Sequence, residues 1–134
     1  MSTLAVGTIK SISSAAPVFQ NTSGTEKGQL AKAWINFNGK DTVAIRDSFN
    51  VSSLTDNSTG NYSMNFSTAM SNANYCVVSS GSESGVGGAA RFISGDGNSA
   101  SAALLLTFNS TTNTDYSFCS FAVFAYANSA SDHL

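Results

Sequence analysis

From Tyr62 to Ser67 the chain reads Tyr-Ser-Met-Asn-Phe-Ser, a strict alternation of large apolar and small polar residues. A period of two puts Tyr62, Met64 and Phe66 on one side of an extended backbone and Ser63, Asn65 and Ser67 on the other. The same beat sets Ala33, Ile35 and Phe37 against Lys32, Trp34 and Asn36. No stretch carries a sustained 3.6-residue period, so helices are not expected. Further strand candidates are Thr42 to Arg46, Ser48 to Ser53, Asn74 to Ser79, Arg91 to Ser94, Ala102 to Asn109 and Tyr116 to Tyr126. Between them stand turn signals: Asn38-Gly39, the cluster Thr55 to Asn61, the Gly-rich run from Ser80 to Ala90, and Asp96-Gly97. Short strands at this spacing predict an all-β chain, an antiparallel β-sandwich or jelly-roll-like domain.

Residues 1 to 30 break the pattern. They are rich in Ser, Gly and Thr, contain the only proline, Pro17, and offer too little apolar surface to order themselves. The expected division is an extended N-terminal arm over 1–30 and a single β-sandwich domain over 31–134.

Two strands are apolar on both faces. Ala102 to Asn109 carries Leu104, Leu105 and Leu106, and Tyr116 to Tyr126 carries Phe118, Phe121, Phe124 and Tyr126. One small domain has limited interior for both faces, so the second face is expected to meet another subunit. The candidate oligomer interface is Leu104, Leu106, Phe118, Phe121, Phe124 and Tyr126. Trp34, on the polar side of its strand, is the candidate surface contact, suited to packing, to an intersubunit contact or to stacking a sugar.

Charged residues make up 10% of the chain, against roughly 25% in an ordinary globular domain. The polar surface is therefore mostly Ser, Thr and Asn, which can be buried against a neighbour far more cheaply than Lys or Glu. A net charge of -2 argues against nucleic acid as a partner, since phosphate binding needs a basic stripe. No apolar run is long enough for a membrane-spanning helix. The N-terminus lacks the continuous apolar core of a signal peptide, so the chain is expected to fold in a cytoplasm, with Cys76 and Cys119 as reduced, partly buried thiols and the Asn-x-Ser/Thr sequons unmodified.

Chemistry-bearing constellations are sparse. The Gly-rich run lacks the Gly-Lys-Ser/Thr ending of a phosphate loop, and Asp56 to Gly60 lacks the closing glutamate of a calcium loop. The single histidine, His133, is the penultimate residue, and no Cys or His stands at metal-ligand spacing. Arg46 and Arg91, set within apolar strands, are expected to pair with carboxylates. Most acidic residues fall in turns or at strand ends. Only Asp47, Asp96 and Asp115 are candidates for a carboxylate site assembled between subunits. The expectation is no catalysis, no metal and no cofactor.

The segment Ala-Lys-Ala-Trp-Ile-Asn-Phe-Asn-Gly at 31–39 resembles a module of tail-fibre and related virion proteins of bacteriophages, of the marine phage and cyanophage type. The likeness continues through Arg46, the run Ser48 to Ser53, Thr55-Asp56-Asn57, Gly60, Tyr62, and the frame Phe66, Met70, Ala73 and Tyr75. It covers roughly residues 31 to 78. The resemblance implies a compact β-domain in a virion component, usually trimeric. A fibre would need a shaft or a tail-docking domain. An arm and a β-head read from Met1 instead favour a capsid decoration (cement) protein, a homotrimer on the particle surface. The alternative is a short tail-fibre or receptor-binding head. Expected partners are its own copies, the major capsid protein or a tail component, and a host surface glycan.

Overall fold

The structure is a computed structural model that describes residues 2–10, 12, 19–28, 30–82, 91–94, 98–109 and 111–125, with the backbone alone for 26–27 and 91–94. It is all-β. Two antiparallel sheets pack face to face as a β-sandwich, and no helix occurs among the described residues.

The chain divides into two units, residues 1–30 with 127–134, and 31–126. The first contains a two-stranded hairpin, β1 (Phe19–Gln20) against β2 (Glu26–Gly28). The Asn21 side chain organises its turn, accepting hydrogen bonds from the amides of Ser23 (3.1 Å) and Thr25 (2.9 Å). A loose arm was expected here; the Asn21 turn pairs its second half locally.

In the second unit β3 (Ala33–Asn38), β4 (Ala44–Phe49), β7 (Cys76–Ser82) and β11 (Phe118–Phe124) form one sheet in the order β4-β3-β11-β7. The other is built on β5 (Val51–Ser58), β6 (Asn61–Phe66) and β9 (Ala102–Asn109). β8 (Arg91–Ser94) and the short β10 (Thr112–Asn113) also pair with β9. The alternation read from the sequence is realised. Ala33, Ile35 and Phe37 of β3 and Cys119, Phe121 and Val123 of β11 face Tyr62, Met64 and Phe66 of β6 and Ala103, Leu105 and Thr107 of β9, all buried. Phe37 sits at the centre, edge-on to Tyr62 (ring centroids 5.0 Å apart) and stacked with Phe121 (6.1 Å). Thr107, the one buried polar residue among the described residues, donates its hydroxyl to the Thr114 carbonyl at 2.6 Å.

Two junctions hold the sheets in register. Tyr62 reaches across from β6, and its hydroxyl lies 2.6 Å from a carboxylate oxygen of Asp115 and 2.8 Å from the Gly39 carbonyl. That Asp115 oxygen also accepts the Gly60 amide at 2.6 Å. Gly60 is at φ 65°, and a Cβ there would fall 2.3 Å from the Thr107 carbonyl oxygen, so no other residue fits. The second junction is Asn50, which passes the chain from one sheet to the other between β4 and β5. It takes φ 55°, and its side-chain amide donates to the carbonyls of Lys32 (2.9 Å) and Thr68 (3.0 Å) while its Oδ1 accepts the Thr68 amide (2.7 Å).

Several sequence boundaries move. A continuous strand from Ser48 to Ser53 was expected, but Asn50 breaks it. The turn expected over 55–61 shrinks to Thr59-Gly60, because Thr55 to Ser58 continue β5 and pair with β6. At Asn38-Gly39 the positive φ falls on Asp41 (58°) instead. Gly39 is needed for room, since a Cβ would sit 2.7 Å from the Tyr62 hydroxyl. Asp96-Gly97 lies outside the described residues.

Replacing Asn50 by Ala should cost about 4–5 kcal/mol, from three lost hydrogen bonds at about 1 kcal/mol each and about 1–2 kcal/mol for the left-handed backbone. Asn50→Gly should recover the backbone part but not the bonds. Denaturant unfolding of the three proteins checks the order Asn50 above Gly above Ala; equal midpoints would refute the corner's role.

Candidate functional site

The outer face of the four-stranded sheet is where exposed aromatic residues gather. Direct cross-strand pairing puts Phe49, Trp34, Ala122 and Val78 in one row across β4, β3, β11 and β7. Phe49 and Val78 are 55% and 49% exposed, and Trp34 is half-buried between them. The adjacent row is polar: Asp47, Asn36, Ser120 and Ser80. Within it the Asn36 side-chain amide donates to the Ser120 hydroxyl at 2.7 Å. The central strand contributes only small side chains here, so the sheet surface dips between Trp34 and Val78. The result is an open groove of about 420 Å³, its floor made by Ser120 and Ala122.

At one end of this face Arg46 covers Phe118, its guanidinium 4.6 Å from the ring centroid. It donates to the carbonyls of Phe37 (2.8 Å) and Ser117. The expected carboxylate partner is replaced by two carbonyl oxygens and a ring, because the irregular β3–β4 pairing at Asn36/Phe37 turns Arg46 back over the strand ends. The Arg91 side chain lies outside the described residues.

The predicted interface residues do not share one surface. Phe121 points inward and is 2% exposed, so its ring belongs to the core of the monomer. Phe118 and Phe124 lie on the outer face of β11, Phe118 being 44% exposed and Phe124 half-buried. Leu104 and Leu106 lie half-buried on the outer face of β9, on the opposite side of the sandwich, beside Ser63 and Asn61 of β6. Tyr126 is outside the described residues. The two-sided character of β9 and β11 thus splits into one side that fills the core and one that lies on an outer face.

That second outer face, on the sheet of β5, β6 and β9, carries a ladder of uncharged groups. The Asn57 amide donates to Asn61 Oδ1 (3.1 Å) and Ser63 Oγ (2.9 Å), and the Asn65 amide to Ser53 Oγ (3.0 Å) and Thr55 Oγ1 (3.1 Å). The Ser, Thr and Asn excess therefore serves as a network of side chains that bond one another.

The candidate carboxylates are dispersed. Asp115 is committed to Tyr62 and Gly60, Asp47 bonds the Ser48 amide next to it (2.8 Å), and Asp96 and His133 lie outside the described residues. Among the described residues no group of three His, Cys, Asp or Glu side chains could hold a metal ion. Both thiols are free. Cys119 is buried and donates to the Tyr116 carbonyl at 3.3 Å, while Cys76, expected to be partly buried, is exposed because its strand forms the edge of the sheet. They sit on opposite faces of that sheet, Cys76 across from Phe124 and Cys119 pointing inward, so they do not pair.

No family model, curated protein or solved structure matches this chain.

Of the groove, only Trp34 was singled out in the sequence. Asn36 and Ser120 are 84 residues apart and meet only through β3–β11 pairing. The one local signal was the placement of Asn36 on the same face as Trp34 two residues away.

Burial pushes the Cys119 thiol up from about 9.0 to about 12 and the Tyr75 phenol from 10.0 to about 12. Desolvation, then the Asp115 carboxylate, raises Tyr62 further still. All three bind their protons more tightly folded than unfolded. Their stabilisation is complete below pH 9 and is lost as pH climbs toward 12. Thermal unfolding should show a midpoint flat near neutrality and falling from about pH 9. In Cys119→Ala the fall should begin near pH 10, where the tyrosines take over. An unchanged onset in that variant would refute the thiol's part.

Proposed function

We propose that this chain is a bacteriophage virion structural protein, a small non-catalytic β-sandwich head that decorates the particle surface and assembles as a homotrimer. The observation that carries the reading is the outer face of the β5, β6 and β9 sheet. There the Asn57–Asn61–Ser63 and Asn65–Ser53–Thr55 networks run alongside half-buried Leu104 and Leu106. Removing polar groups from water is costly when they lose hydrogen-bond partners. Here the side chains keep bonds to one another, so an identical subunit could cover them without leaving the amides unpaired. Leu104 and Leu106 would supply the apolar contact. The resemblance of residues 31 to 78 to virion β-modules supports the same reading, as does the scarcity of charge.

Of the residues expected at the interface, Leu104 and Leu106 remain its centre. Phe121 is assigned to the core. Sedimentation of the full chain at micromolar concentration should give a trimer. Leu104→Asp with Leu106→Asp should give a folded monomer, and Phe121→Asp should unfold the subunit, since an unpaired carboxylate in the core costs several kcal/mol. An antibody to the protein should label the surface of intact particles. A wild-type monomer, or particles that take no label, would overturn the assignment.

A further inference from the structure

We propose that the groove on the opposite face, between Trp34 and Val78, binds a neutral oligosaccharide. This goes beyond the assembly reading and is independent of it, because the two faces belong to different sheets and share no residue.

The two rows described above have complementary chemistry. A pyranose ring offers a flat, weakly apolar C–H face and a rim of hydroxyls. Trp34, half-buried and extended by exposed Phe49, supplies a flat apolar surface beside the groove. The neighbouring row supplies the polar partners, and they retain capacity. Ser120 accepts from Asn36 and keeps its own hydrogen to donate. Asn36 keeps Oδ1 to accept and a second N–H to donate. Ser80, directly across from Ser120, adds a second hydroxyl. Apolar walls with a few placed polar groups are the ordinary composition of a small-molecule site, and about 420 Å³ lies within the usual size range.

Charge selects among occupants. No charged residue lines the groove. Beside it, β4 carries Asp47 at the end of the polar row, and Arg46 is occupied by the Phe37 and Ser117 carbonyls and the Phe118 ring. Lys32 stands in the row beyond Trp34, on the side away from the polar row, so within the lining itself a phosphate-bearing or acidic ligand would find no cation to offset its desolvation. A neutral polyhydroxyl ligand would lose no charge and gain both rows. The rows cross four strands, a span of roughly 14 Å at the usual strand spacing, which suits a short oligosaccharide lying across the sheet.

Trp34 is the only tryptophan, so its emission reports on the groove directly. The full chain is titrated with neutral gluco-, galacto- and manno-trisaccharides and with one sialylated trisaccharide. At least one neutral sugar should give a saturable change in emission, and the sialylated one should give none in the same range. Ala122→Leu, which fills the floor, and Asn36→Ala, which removes the amide, should each weaken binding at least tenfold. Phe118→Ala, at the far end of the face, should stay within twofold. Circular dichroism identifies a misfolded variant, and the other variant then decides. The proposal is overturned if no neutral sugar changes the emission at tens of millimolar, or if the change survives both groove variants. It is also overturned if emission follows protein concentration without sugar, which would mean that a second copy covers the groove.

Discussion

The Tyr62 hydroxyl, set against the Asp115 carboxylate and the Gly39 carbonyl, is the constraint on which the sandwich depends. Hydrophobic burial draws two sheets together but sets their relative position only loosely, because apolar contact has little direction. A hydrogen bond donated by a buried phenol does have direction. Tyr62 belongs to β6, Gly39 follows the end of β3, and Asp115 leads into β11, so one side chain ties its own sheet to the ends of both central strands of the other. Asp115 also takes the Gly60 amide, which fixes the β5–β6 turn to the same point. The two glycines are room for this junction: a Cβ at either would strike it or the backbone beside it.

With that point fixed, the chain has few ways to cross between sheets, and Asn50 provides one in a single residue. It is satisfied by three hydrogen bonds to backbone groups of Lys32 and Thr68. This explains how an asparagine can hold a left-handed conformation that most side chains avoid. The polar, uncharged composition has the same economy: Asn, Ser and Thr act as internal partners at the corner and as mutual partners on the outer face.

The inward faces of β3 and β6 were legible because burial on one side alone imprints a period of two. The bounds of β8 and β9 were legible too, since turn residues or abrupt changes of polarity flank them. What lay hidden depends on pairing. Phe121 and Phe118 stand three residues apart in an apolar run, and nothing in the run says which faces the core. The boundary between strand and turn within 55–61 was also unreadable, because Thr55, Asp56, Asn57 and Ser58 suit a turn and an exposed edge strand equally; they are held as strand by pairing with β6. The groove is the extreme case, since its Trp34 wall and its floor come from segments more than eighty residues apart, its Val78 wall from a third, and β11 sets the register of all three.

The Asn38-Gly39 pair has a bearing on chemical ageing. In a flexible peptide such a pair is prone to lose its side-chain amide, because the glycine nitrogen can swing onto the asparagine carbonyl carbon and close a succinimide. Here the Gly39 N–H is held by the Tyr116 carbonyl at 2.9 Å, and the Asn38 amide donates to the carbonyls of Lys40 (2.6 Å) and Thr42 (2.8 Å). Attack would require both anchors to release together. Isoaspartate formation at this turn is thereby tied to local unfolding, and the lifetime of the covalent chain becomes a property of the fold.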